Sequence, residues 1–241
     1  MDRQTTVHMT DSGTTSENDA RRFRRSFFIA ASFATVLWLI KLVEITFDLN
    51  LTPYGVYPLR TSGLWGILWA PLIHGSLSHV FANTAPIIIL GTALLYGYPR
   101  SAKIVIPVIY IGTGVGVWLF ARSSYHIGAS GLTLGMMLFV FTIGVLRWDK
   151  RAIALALIVS FLYGGTIWGI FPGNPQISYE SHLFGAVIGV VLAILFKNYD
   201  PAPPEKKYSW EDEEDNLEDD GEHTEGDGTA SKQSDDTLQL H

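Results

Sequence analysis

The chain contains no cysteine among its 241 residues. That absence removes disulfides, thiolate metal sites and a cysteine nucleophile together. Charge is also scarce where it would be expected in a soluble domain. Residues 26–196 are nearly all apolar, while both ends are polar. No H-E-x-x-H element occurs, so a zinc protease of that kind is excluded. The histidine spacings supply no ligand set with a carboxylate, and no metal or cofactor is expected. No nucleic-acid partner is expected either. The first apolar run begins near Ser26 without a small-residue cleavage site, so no cleavable signal peptide is expected.

What is present is hydrophobic length. Apolar residues make up 48% of the chain, and mean hydropathy is +0.22. Several runs approach the roughly twenty residues that cross a hydrocarbon core. The sequence predicts an all-α integral membrane protein with six spans, near 26–48, 77–97, 103–121, 129–146, 152–171 and 181–196. Spanning segments must be helices, because an isolated strand leaves its backbone groups unsatisfied in lipid. Residues 1–25 read as a disordered N-terminal segment, 26–200 as the membrane core and 201–241 as a disordered acidic tail. The tail carries much of the net charge of −6.

Cations orient the spans. RRFRR (21–25), Arg100 with Lys103, Arg147 with Lys150 and Arg151, and Lys197 with Lys206 and Lys207 fall on one side of a six-span bundle. The other side holds only Arg60 and Arg122. Both termini are therefore expected in the cytoplasm. Lys41 and Glu44 fall inside the first span, near its outer end. They share a helix face and could pair, with Lys41 snorkelling to the interface.

This topology sets depths. Ser130, His182, His79 and Asn83 come from three spans yet reach a similar depth near the outer face. His79 and Asn83 are i,i+4 and project from one helix face. Gly131 and Gly135 form a small-residue face, as do Gly185 and Gly189 with His182. Such faces let membrane helices approach closely. Their contact would bring Ser130 to His182, as base-activated serine chemistry requires. Each residue alone has an ordinary reading. A membrane serine usually bonds the carbonyl one turn back, a lone histidine joins helices, and glycine pairs pack. Their convergence at one depth favours a site.

The motifs GASG (128–131), HGSLSHVFAN (74–83) and His182 with Gly185 and Gly189 occur in that arrangement across 26–196. In this the chain resembles the rhomboid family of intramembrane serine proteases, of prokaryotic type. The resemblance implies a six-helix rhomboid-like core with a Ser–His dyad. Ser130 would be the nucleophile and His182 the general base. His79, Asn83 and the Ser130 N–H would form the oxyanion hole, with Gly128, Gly131, Gly135, Gly185 and Gly189 packing around the dyad. Transmembrane protein segments would be cleaved near the outer face of a prokaryotic cell membrane. The implied partners are those substrates and the lipid bilayer. Oligomeric state stays open.

The sequence departs from the family pattern in places. Leu134 stands where an aromatic often packs on the catalytic histidine. The first loop, YGVYPLRTSGLWGILW (54–69), lacks a Trp-Arg pair and is similar to another branch of the family. His74 reads as loop-ordering and His126 as incidental. Asp149 falls on the cytoplasmic side, and Glu180 in an exposed loop two residues before His182. Leu132 replaces the second glycine of the soluble nucleophile elbow. The fifth span, ending LYGGTIWGIF with Gly164-Gly165, Trp168 and Phe171, is a candidate lateral gate. The loop 172–181 would cap the site. The competing readings are a non-catalytic rhomboid-like binder of membrane helices and a small transporter. Both Ser130 and His182 are present, which disfavours the first. No repeated halves or midplane polar site support the second.

Overall fold

The computed structural model describes residues 5–162, 168–173 and 177–201. Helix α1 runs Thr5–Thr46. A loop of short 3-10 turns and the brief α2 (Gly66–Trp69) leads to α3 (Leu77–Gly97). Then come α4 (Ala102–Phe120), α5 (Ser130–Leu146), α6 (Lys150–Leu162) and α7 (Tyr179–Phe196). Among the described residues there is no strand, only an isolated antiparallel bridge between Val56 and His126. The tail beyond Pro201, the Gly164-Gly165 pair and residues 174–176 of the capping loop lie outside the described residues.

Among the described residues, four helical segments are long and apolar enough to cross a membrane: Glu17–Thr46, Leu77–Gly97, Ala102–Phe120 and Tyr179–Phe196. The expectation of six such spans is thus met only in part. At 17 residues, α5 rises about 25 Å, short of a hydrocarbon core of about 30 Å. It cannot begin sooner, because Gly128 sits at φ +106°, outside the helical region. The fifth predicted span is helical over Lys150–Leu162 and then runs into residues that are not described. The first span also differs. Its helix begins well before residue 26, where the sequence suggests disorder. Tyr96 on α3 holds it there, donating its hydroxyl to Asp19 Oδ2 at 2.7 Å and accepting from Arg22 at its carbonyl at 3.2 Å.

Local chemistry sets the helix ends. Ser76 caps α3, its hydroxyl accepting from the His79 N–H at 3.1 Å. Ser178 caps α7 by accepting from the Ser181 N–H at 3.2 Å. Asp200 follows α7 and covers the start of α4, accepting from the Arg100 N–H at 2.8 Å, the Ser101 N–H at 3.0 Å and the Ser101 hydroxyl. Such acceptors satisfy donors that a helix leaves open.

The core forms around α5. Leu134, Phe139 and Ile143 are fully buried there, together with Leu94, Val105 and Ile109 from α3 and α4 and Ala193 from α7. A second cluster joins α1 to α3 through Ala34, Leu37, Val80 and Ile87. Outward side chains such as Leu39, Phe81, Ile111 and Val187 are exposed apolar groups, suited to lipid.

Candidate active site

The contact between α5 and α7 is made by glycines. A Cβ on Gly185 would overlap the Gly131 carbonyl oxygen, and one on Gly189 would overlap that of Gly135. In return, a Cβ on Gly135 would come 2.8 Å from the Gly185 oxygen. The two helices therefore touch backbone to backbone. Close approach of this kind depends on small residues.

Ser130 is the first residue of α5, and His182 lies in the first turn of α7. Their side chains meet across the glycine contact, with His182 Nε2 2.7 Å from Ser130 Oγ. His182 is buried. With the Ser130 hydroxyl donating, Nε2 accepts, and the neutral ring carries its proton on Nδ1. At the start of α5, the first-turn N–H groups have no acceptor within the helix. They place donors and the positive end of the helix dipole beside the hydroxyl.

His79 reaches the same region from α3. Its ring lies on the backbone of Gly128, where an added Cβ would be 2.5 Å from His79 Cε1 and 2.7 Å from Nε2. Glycine is required there twice, for the positive φ and for the ring. His74 packs edge-on against His79, with ring centroids 4.8 Å apart. Burial foremost, then the neighbouring His79, pushes the His74 pKa down to about 4, so the ring is neutral. Asn83 is buried one turn beyond His79 and donates a carboxamide N–H to the His79 carbonyl at 3.0 Å. The structure thus joins Ser130 with His182 directly and lays His79 on the Gly128 backbone two residues before the serine. Asn83 is tied to its own helix.

Leu134 is fully buried one turn after Ser130, in the same core as Ala186 of α7. The aliphatic side chain fills that position. Among the described residues, no group of three or more His, Asp or Glu side chains could hold a metal.

The Rhomboid domain family model matches residues 61–199, most of the chain and all of these side chains. The chain belongs to the rhomboid family. It is 36% identical to an uncharacterized protein of Mycobacterium tuberculosis, over 73% of this chain and 75% of that one. An uncharacterized protein of Mycobacterium leprae is 33% identical, over 73% and 71% of the two chains. A RHOMBOID-like mitochondrial protein of Arabidopsis thaliana is 27% identical, over 54% and 43%. With its apolar helices, this rhomboid is an integral membrane protein.

Around the dyad, the rhomboid chain places several polar residues differently from the sequence expectation. Lys41 and Glu44 do not snorkel. They are only 8% and 9% exposed and pair at 2.8 Å. Lys41 Nζ also donates to the His74 carbonyl at 2.9 Å, and Glu44 Oε1 accepts from the Leu51 N–H at 3.2 Å. Lys41 thereby pins the segment that carries His74 and His79 to α1, while Glu44 holds the chain that leaves α1. Burial is tolerated because each charge has its partner and further hydrogen bonds.

Glu180 is not in an exposed loop but buried in the first turn of α7, at 4% exposure. It accepts from the Arg122 N–H at 3.2 Å and pairs with the Arg122 guanidinium at 3.3 Å. Nor is His126 incidental. It is 2% exposed and bonded through both ring nitrogens. Burial, above all, lowers its pKa. Ionisable residues in apolar sequence are the available signal for all of these. Spacing pairs Lys41 with Glu44, but the His74 carbonyl that Lys41 reaches, the Arg122 that Glu180 binds and the Ser178 that His126 binds come from segments far away in the chain.

Proposed function

We propose that this rhomboid is a serine endopeptidase that cleaves transmembrane segments of other proteins within the membrane. The observation that carries the reading is the 2.7 Å contact between Ser130 Oγ and His182 Nε2. Rhomboid domains are commonly found in intramembrane serine proteases. In this reading Ser130 attacks the scissile carbonyl as His182 takes its proton. The carbonyl oxygen gains negative charge. The Ser130 N–H, with His79 and Asn83, stabilises that charge by several kcal/mol in a water-poor site. His182 then returns the proton to the leaving amine. Water deacylates the enzyme by the same route in reverse. Asn83 would turn its carboxamide from the His79 carbonyl, or use its second N–H, to reach the oxyanion.

The reading includes six spans with both termini in the cytoplasm of a prokaryotic cell. The sidedness rests on the cationic clusters at 21–25, 100–103, 147–151 and 197–207. It sets the dyad near the outer face. A helical peptide bond is shielded, so the substrate must unwind locally, which favours Gly, Ala and other small residues. Lateral entry beside the fifth span accords with Trp168 and Phe171, which are exposed and lie against each other, ring centroids 6.3 Å apart.

A fluorophosphonate reacts with an activated serine irrespective of substrate. Labelling of the wild type at Ser130, lost in Ser130→Ala and in His182→Ala, is the expected result. Equal labelling of wild type and His182→Ala would overturn the dyad. A folded wild type that neither labels nor cleaves would point to a non-catalytic binder of membrane helices.

A further inference from the structure

We propose that His126 is a positioning residue for the dyad: its hydrogen bond to Ser178 ties the segment entering Ser130 to the helix start that carries His182. The proposal rests on the catalytic reading of that dyad. His126 lies four residues before Ser130, and Ser178 four residues before His182.

The direction of each hydrogen bond follows from the acceptors. His126 Nε2 is 3.0 Å from the Arg122 carbonyl oxygen. A carbonyl can only accept, so Nε2 carries the ring proton. In the neutral ring Nδ1 is then an acceptor. The Ser178 hydroxyl therefore donates to Nδ1, at 2.6 Å. Its oxygen is left with lone pairs facing the first turn of α7. There it accepts from the Ser181 N–H at 3.2 Å and lies 2.7 Å from the Ser181 hydroxyl. A single serine thus caps α7 and binds His126 at once.

The other end of the tie is rigid. The His126 backbone exchanges two hydrogen bonds with Val56, at 2.9 and 3.0 Å. The Gly128 N–H donates to the Ala70 carbonyl at 2.8 Å. Residues 126–128 are therefore fixed to the first loop, and the imidazole extends that fixed frame to α7. Arg122 adds a second tie to the same helix start, through Glu180 and through the Ile177 carbonyl at 2.8 Å. Glu180 Oε2 is also 3.9 Å from His126 Nδ1, too far to replace the Ser178 hydroxyl as partner.

The glycine contact sets how close α5 and α7 come, yet smooth backbone faces do not by themselves fix rotation or slide. A 2.7 Å dyad contact tolerates little of either. A misplacement of about 1 Å can cost on the order of 100-fold in rate. The His126–Ser178 bond, with the Arg122 contacts beside it, supplies that constraint, and it does so within four residues of both reacting groups.

The test is a double-mutant cycle of His126→Ala and Ser178→Ala in the full chain, reconstituted with a single-span substrate. Each single variant is expected to lower kcat on the order of 10- to 100-fold with KM within about two-fold. Ser178→Ala also removes the cap of α7 and is expected to be the slower single, and the double variant is expected to be no slower than it, because the shared bond is already lost. His126→Gln offers a donor for Arg122 and an acceptor for Ser178, and should recover most of the loss. Unchanged kcat in either single variant, or losses that multiply in the double, would overturn the proposal. So would losses that merely track the folded fraction. A readout independent of turnover is the 15N resonance of the His182 ring, assigned by its absence in His182→Ala. It should move in both His126→Ala and Ser178→Ala. An unmoved resonance would refute the tie. A moved resonance with an inactive wild type would keep the tie and remove the protease reading.

Discussion

Replacing Gly135 by alanine tests the link between helix packing and the dyad. Gly135 lies on α5, well over one turn past Ser130, and touches neither reacting atom. Its added Cβ would stand 2.8 Å from the Gly185 oxygen and 2.5 Å from Ile109 Cγ2. Neither yields easily: Ile109 is fully buried and its Cγ2 sits directly on the β-carbon, and the Gly185 oxygen belongs to the backbone. Ordinary contact begins near 3.4 Å, so α5 and α7 must part by about 0.6 Å at that point. Carried to the helix start, the same displacement stretches the 2.7 Å dyad contact beyond the roughly 3.2 Å limit of a useful hydrogen bond. Overpacking should cost about 1–3 kcal/mol of stability. The catalytic loss should be about 10- to 100-fold in kcat, over and above any loss of folded protein. Fluorophosphonate labelling of Ser130 and substrate cleavage report the second effect, and thermal unfolding in detergent the first. A Gly135→Ala protein with wild-type kcat and unfolding temperature would refute the claim that the glycine contact sets the dyad distance.

Further outcomes follow from other contacts. Lys41→Met leaves Glu44 buried without its cation and should cost about 3–5 kcal/mol. Adding Glu44→Leu should restore much of it, both read by denaturant unfolding in detergent. Gly128→Ala combines a positive φ of 106° with overlap of the His79 ring, and should abolish cleavage while leaving a folded, membrane-inserted protein. Acid should also destabilise the fold. His74 is buried neutral with its pKa lowered to about 4, and that of His126 is lowered too. In the unfolded chain both return to about 6.5, so the unfolded state binds more protons below that pH. Their stability contribution is complete above about pH 6.5 and falls as pH drops, by up to about 3 kcal/mol for His74 alone near pH 4. Unfolding of wild type and His74→Gln between about pH 7.5 and pH 5 checks the sign, since the variant should show the shallower slope.

The sequence was most legible where one-dimensional spacing coincides with three-dimensional neighbourhood. Gly131 with Gly135, and Gly185 with Gly189, announce flat helix faces, and the two faces meet. His79 and Asn83 share a face of α3 because both lie in one regular helix. The first loop was less legible, because its structure comes from irregular turns whose hydrogen bonds reach distant residues. His126 pairs with Val56 and Ser178, and Lys41 with the His74 carbonyl, across separations that no periodic pattern encodes. Glu180 is helical, not part of a loop, because α7 starts at Tyr179, two residues before the apolar run that begins at 181. The early start of α1 was hidden by polar composition, since residues such as Asp19 and Arg22 form helix against Tyr96. Helix α5 reads as a span by composition, but its start is fixed by the backbone of Gly128.

The central claim is that Ser130 and His182 cleave peptide bonds within the membrane. Its most direct measurement is incubation of the purified protein in proteoliposomes with a single-span substrate whose helix contains small residues, followed by mass analysis of the fragments. The account predicts a discrete cut near the outer end of the substrate helix by wild type, and no such fragment with Ser130→Ala. Equal cleavage by wild type and Ser130→Ala would contradict it.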